Sequence, residues 1–300
     1  MLSRKDLFLL SLLTFFWGIN WPVMKYAVLT YPPMAFRGIS MVLGILAIGL
    51  YMMLRKDHFY VPPQERGPIL KLVIGNMLIW HLFAMYAIKF LTSGRAAIIG
   101  YTMPVWAMLI GVLFYKNPLT LRRAVGVLLA LIATLLLAIE EFSSLIGQPL
   151  GLGMMLIAAI GWGLGTVMMN RTQLTISNAS LTFWMMVATV VVVGLVSVVL
   201  EIDQWRAPTP SEWATILYNA LLVFGFCHII WFRLARKLPP IASSLSIMLI
   251  PVLGVFSGAW ALNETIGPYD ISALILILIA MAVVLLPRRK SSQESVASPT

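Results

Sequence analysis

Four residues near the amino terminus, Trp17, Asn20, Trp21 and Met24, are spaced to share one side of a helix. At about 100° per residue they fall within roughly a third of the circumference, which makes an aromatic and amide stripe. Pro22, inside the stripe, lacks a backbone N–H and leaves the carbonyl of Gly18 without its usual partner. A carbonyl freed beside a cavity can accept a hydrogen bond from an amine. The same residues also suit plain packing, with Asn20 tying two helices together as polar side chains do in membranes. Trp17 and Asn20 are read as site residues because Trp162 stands at the matching point of the second half; Trp21 is read as packing.

His81 lies in the middle of an apolar run, where an ionisable group is a functional candidate by default. Trp80, Tyr86 and Tyr101 are placed to build an amphipathic wall near it, although a satisfied structural histidine fits the same pattern. Ser244 supplies a further polar group in the second half. Cys227 and His228 adjoin, but neighbouring residues point in different helical directions and cannot complete a tetrahedral metal site. Lys25 is read as snorkelling toward the outer end of its helix, with attraction of a carboxylate as the alternative. No Asp or Glu falls in the middle of an apolar run, so a carboxylate relay for proton or sodium coupling is not evident, and no Walker-type phosphate loop occurs.

The elements that must position these groups are membrane spans. Hydrophobic residues make up 60% of the chain and charged residues 11%, with a mean hydropathy of +0.93. A soluble domain carries about 25% charged residues. At about 20 apolar residues per crossing, ten spans are predicted. They cover Leu7–Val28, Met34–Leu54, Ile69–Lys89, Ser93–Tyr115 and Leu121–Ile139 in the first half of the chain. In the second half they cover Leu150–Asn170, Ala179–Leu200, Trp213–Leu234, Pro240–Leu262 and Pro268–Leu286. These runs are apolar all round, which excludes a barrel of alternating strands. The longest connection, Arg55 to Pro68, is too short for a soluble catalytic domain, so function must reside among the helices.

The net charge of +10 is dispersed among connections and forms no single nucleic-acid patch. With the amino terminus inside, only Lys25, Arg37, Lys89, Arg95 and Arg206 of the 21 bases fall on the outer side, near the external helix ends. That asymmetry obeys the positive-inside rule and puts both termini in the cytoplasm. A single cysteine excludes an intrachain disulfide.

A repeat organises the chain. Tyr101 to Gly111, containing Pro104, matches Met248 to Gly258, containing Pro251, at one constant offset; Trp17-Gly18 matches Trp162-Gly163 at a slightly different one. Residues 1–140 form a first five-helix unit, 141–149 an external linker, 150–287 a second unit and 288–300 a disordered cytoplasmic tail. An odd number of crossings per unit inverts the second copy, which is a transporter signature. Pro104 and Pro251 are read either as hinges of symmetry-related gates or as static kinks. Gly161 and Gly165 are read as a close-packing pair.

Ten spans as five plus five, each half ending on a proline, glycine and polar segment, resemble the drug/metabolite transporter superfamily, and within it the EamA-type exporters, including bacterial aromatic amino acid exporters. The family's acidic position after the second proline segment falls on Glu264, whereas the first copy has Asn117. The resemblance implies an all-α polytopic fold, two inverted five-helix repeats around a central cavity, and a bacterial inner-membrane location. It further implies export of amino acids, aromatic and other neutral ones, or related metabolites by alternating access. Trp17, Asn20, His81, Tyr101, Trp162 and Ser244 are the expected substrate-binding residues, and Pro104 and Pro251 the expected gates. Nucleotide-sugar or drug-like substrates are the alternative within the superfamily; a channel or a membrane-embedded enzyme fits less well. The expected partners are a small-molecule substrate and the lipid bilayer, with no nucleic acid, cofactor or metal. A monomer is compatible with these features, which set no oligomeric state.

Overall fold

The computed structural model describes residues 4–143, 148–230 and 240–285, with residues 143 and 240–245 described by their backbone alone. The described residues form ten helices: α1 Arg4–Thr30, α2 Pro33–Leu54, α3 Pro63–Phe90, α4 Ser93–Tyr115, α5 Leu121–Ser143, α6 Pro149–Arg171, α7 Asn178–Glu201, α8 Pro210–Ile230, α9 Pro240–Leu262 and α10 Pro268–Leu285. Among the described residues nine are long and apolar enough to cross a membrane, and α9 adds the apolar stretch Ser246–Leu262. The described residues contain no strand.

Helix boundaries follow from local chemistry. Six helices open on proline, whose fixed φ and missing N–H suit the first turn. Lys56, Lys116 and Asn263 adopt left-handed φ of 54° just past α2, α4 and α9, which ends those helices. Proline at the first turn also explains why α3 begins at Pro63, six residues before the predicted Ile69 and inside what reads as a loop.

Pairing between helices reveals the repeat. Exchanging each helix for the one five places away converts the α1–α9 contact into α6–α4 and the α2–α8 contact into α7–α3, while α2–α7, α4–α9 and α5–α10 map onto themselves. All of these pairs are in contact. The third helix of each half carries a π-helical segment, Val73–Leu78 in α3 and Tyr218–Cys227 in α8. Helix ends are tied across the halves as well. Glu201, closing α7, accepts bonds from the backbone N–H of Met34 and Ala35 at the start of α2, each at 3.0 Å. Asp57, just past α2, accepts at 2.7 Å from the hydroxyl of Ser177, the N-cap of α7. Carboxylates at helix N-termini satisfy orphan donors and complement the dipole.

Large apolar side chains such as Phe114, Leu135, Val199 and Phe256 face outward, and small ones such as Ala84, Ala96 and Ala97 face the interior. Lipid is as apolar as leucine, so small residues hold such helices together by close packing. A Cβ on Gly75 would lie 2.9 Å from the Cα of Gly165, and one on Gly165 would strike Asn76, so α3 and α6 touch backbone to backbone. Gly165→Val is therefore expected to lower the melting temperature of the purified protein by several degrees, since overpacking costs about 1–3 kcal/mol. Gly153→Ala, where nothing lies within 4 Å, should leave it unchanged or slightly raised; equal behaviour of the two variants would contradict the contact.

Candidate functional site

Helix α1 directs its stripe inward, and other helices answer it with aromatic rings. Trp162 of α6 stands 5.2 Å from Trp80 of α3, Trp80 stands 6.4 Å from Trp21, and Trp21 stands 6.2 Å from Tyr101 of α4. These four rings form one run, with edge-to-face geometry at each step. Trp21, read above as packing, is its central member: Gly100 and Gly254 leave the room it occupies, each with a Cβ position within 3.0 Å of the indole.

A second chain of contacts leaves the other end of the stripe. Trp17 lies 6.0 Å from His228 of α8, His228 lies 5.9 Å from Phe224, and Phe224 lies 5.9 Å from His81. The guanidinium of Arg37, from α2, sits 5.4 Å from the same Phe224 ring. Trp17 and Trp21 stand one turn apart on α1, each a member of one of these chains, so the aromatic run and the polar cluster meet along its inward stripe and make one interior region. Asn20 and His81 are only 7% and 5% exposed, yet Asn20 Oδ1 and His81 Nδ1 have no hydrogen-bond partner. Buried polar atoms left in this way cost about 1–3 kcal/mol each and call for a ligand or water.

Of the expected binding residues, Tyr101 and Trp162 thus join through Trp21 and Trp80, and Trp17 and His81 join through His228 and Phe224. The side chain of Ser244 lies outside the described residues; two positions on, Ser246 shares a short hydroxyl contact with Thr14 that ties α9 to α1. The two proline segments are not alike. Helix α4 is interrupted at Tyr101–Thr102 just before Pro104, whereas α9 remains helical through Pro251. Thr102 explains the difference: its hydroxyl donates to Ile99 O at 2.6 Å and accepts from Trp106 Nε1 at 2.9 Å, which holds the turn. The matching position in α9 is Leu249, which has no such group.

Three residues make contacts not expected from the sequence. The ammonium of Lys25 reaches the end of α3, where it donates to the carbonyls of Lys89 and Leu91 at 3.0 and 2.8 Å. Arg37 lies near the start of α2, as expected, but its side chain is 2% exposed and faces the interior. His228, set aside because it cannot complete a metal site with Cys227, is part of the cluster. A signal for it was present: His81 and His228 are 147 positions apart, as are Pro104 and Pro251. Each histidine follows the π segment of its helix, within three residues. A π turn shifts the helical register by one residue and is common at functional sites.

The outer rim, in the orientation expected from the charge pattern, is sealed by polar ties. Arg95 of α4 binds Glu140 at 2.6 Å, Asp270 at 2.7 Å and also Glu141, joining α4, α5 and α10. Glu264 accepts from Ser93 N and Oγ at the start of α4. A Cβ on Gly258 would meet Glu264 Oε2 at 2.6 Å, and one on Gly111 would meet Asn117 Nδ2 at 2.6 Å, so each half uses its glycine to admit the polar residue that follows. Glu212 grips Arg206 through both oxygens, which holds that guanidinium above its ordinary pKa.

Comparison with known proteins agrees with this architecture. A 25% identical relative, "Uncharacterized transporter YoaV" of Bacillus subtilis, aligns over 88% of this chain and 91% of its own length. "Probable amino-acid metabolite efflux pump" of Salmonella typhimurium is 26% identical over 94% of this chain and 95% of its own. "Uncharacterized inner membrane transporter YedA" of Escherichia coli is 24% identical over 94% and 91%. One solved crystal structure shares the fold with a TM-score of 0.65 over 94% of this chain and 96% of its own, at 19% identity. The profile of the EamA-like transporter family matches residues 4–139 and again 149–286, one match for each set of five helices; the chain belongs to the EamA-like transporter family, within the drug/metabolite transporter superfamily.

Proposed function

We propose that this transporter moves amino acids, aromatic and other neutral ones, or closely related small metabolites across the bacterial inner membrane by alternating access, outward from the cytoplasm, without a cofactor or nucleotide. The observation that carries the reading is the interior region itself, where a run of four aromatic rings adjoins a polar cluster and where Asn20 on α1 and His81 on α3 each leave a buried polar atom unpartnered. An aromatic wall beside polar groups matches an amphipathic solute with an apolar side chain and a polar head. The Salmonella relative named as an amino-acid metabolite efflux pump supports the same class. Trp17, Tyr101 and Trp162 contact the side chain in this reading, and Asn20, His81 and Ser244 meet the head group.

Units 1–140 and 150–287 rock about the site, with the linker 141–149 outside and both termini and the tail 288–300 in the cytoplasm. Pro104 and Pro251 serve as the hinges; the held turn at Thr102 gives the first a defined pivot, and Leu249 leaves the second less constrained. The transporter family and the names of the relatives fit a carrier and not an enzyme.

Purified protein in liposomes should take up labelled tryptophan, phenylalanine or threonine saturably, with competition by the unlabelled compound. Absence of uptake for all three would redirect the assignment to nucleotide-sugar or drug-like solutes. Replacing Asn20 and His81 together with alanine should cut uptake at least about tenfold, while the protein still purifies as a folded species; undiminished uptake would remove them from the site. The Pro104→Ala, Pro251→Ala double variant should slow exchange between facing states severalfold, read as counterflow rate, and an unchanged rate would reject the hinges.

A further inference from the structure

Arg37 is the largest fully buried side chain of the described residues, yet none of them places a carboxylate within 4 Å of it. A guanidinium carries five N–H donors. Here Nε and Nη2 meet the sulfur of Met85 at 3.2 and 2.9 Å, Nη2 meets the sulfur of Met24 at 3.0 Å, and Nη1 reaches Asn219 Oδ1 only at 3.5 Å. Thioethers are weak acceptors. The rings of Phe36 and Phe224 lie 5.7 and 5.4 Å away and add cation–π attraction, but they offer no lone pair.

The other arginines near the outer helix ends, Arg95 partly buried and Arg206 exposed, contrast with it. Arg95 holds three carboxylates, and Arg206 holds one through both oxygens. Glu201 points elsewhere, toward the α2 N-terminus, the Tyr86 hydroxyl at 3.0 Å and Ser197 at 3.1 Å. A buried ion without a counter-ion costs several kcal/mol, and a planar fork of donors is the geometry that recognises a carboxylate bidentately. Arg37 shares the Phe224 ring with His81, so its weakly satisfied donors belong to the interior region already described.

We propose that Arg37 is the carboxylate-binding residue of the transport site: the substrate's carboxylate takes the guanidinium fork, and the sulfurs of Met24 and Met85 give way to it. The proposal rests on the transport reading above and deepens it, making the transported solutes carboxylates. Methionine sulfurs suit the role, since they occupy the fork without competing as an ion would and move on flexible stems.

The test is thermal stabilisation of the purified full chain by phenylalanine, by 3-phenylpropionate, which keeps only the carboxylate, and by phenylalaninamide, which lacks it, measured on wild type, Arg37→Met and Arg37→Lys. Wild type should be stabilised by both carboxylates and not by the amide. Arg37→Met should bind the carboxylates at least about 30-fold more weakly while melting no lower than wild type in their absence, and Arg37→Lys should fall between. Equal stabilisation by the amide, no carboxylate effect on wild type, or carboxylate binding retained in Arg37→Met would each overturn the proposal. Should Arg37→Met fail to fold, the comparison of acid with amide on wild type and on Arg37→Lys decides the matter. Liposome uptake separates the two readings. Equal transport of phenylalanine and phenylalaninamide keeps the carrier and removes Arg37 from recognition, whereas carboxylate-dependent stabilisation without transport of any amino acid keeps Arg37 and removes the transport reading.

Discussion

Hydrocarbon provides no hydrogen bonds, and every feature of this molecule answers to that constraint. A span that departs from α-helical geometry must turn the departure inward. The π segments of α3 and α8 and the turn at Tyr101–Thr102 all do so, and each brings interior residues of the site into line. Helix ends obey the same rule: Glu201, Asp57, Glu264 and Lys25 each satisfy the exposed backbone or the cap of another helix. Most charges at the ends of this bundle are structural for that reason. Arg37 is the contrast, a charge brought inward and left among sulfurs and rings.

Two similar halves of opposite orientation give the molecule two nearly equivalent ways to pack, and that is what alternating access requires. Contacts that map onto themselves under exchange of the halves, α2–α7, α4–α9 and α5–α10, form the frame. Contacts that come in exchanged pairs, α1–α9 with α6–α4 and α2–α8 with α7–α3, are the ones that would differ between the two facing states of the proposed cycle. On the expected outer side Arg95 holds three carboxylates and Arg206 holds one, and the interior residues Asn20, His81 and Tyr101 are closed to solvent.

Much of the fold was legible in the sequence because apolar length, proline starts and the paired proline and glycine segments are local signals. Three aromatic residues of the candidate site were legible for a related reason: Trp17, Tyr101 and Trp162 lie on or near those signals. The inward turn of Arg37 and the capping contacts of Lys25 could not be read, because distance from a helix end says nothing of which way a side chain turns, and only the neighbouring helices decide that. Phe224 and Asn219 could not be singled out, since a phenylalanine and an asparagine in an apolar run resemble any others until a π segment sets their direction. His228 was within reach of sequence reasoning through its offset from His81, but only once a register fixed by the prolines was applied to the whole helix.

The central claim is that the interior region opens to each side of the membrane in turn. It is tested most directly by placing one cysteine there, Asn20→Cys, in a chain whose only native cysteine is removed as Cys227→Ser, and reacting it in oriented vesicles with a membrane-impermeant thiol reagent added to one face or the other. The account predicts modification from both faces, at rates that shift in opposite directions when a transported amino acid is supplied on one side. Modification from a single face whatever the conditions, or from neither, would contradict it.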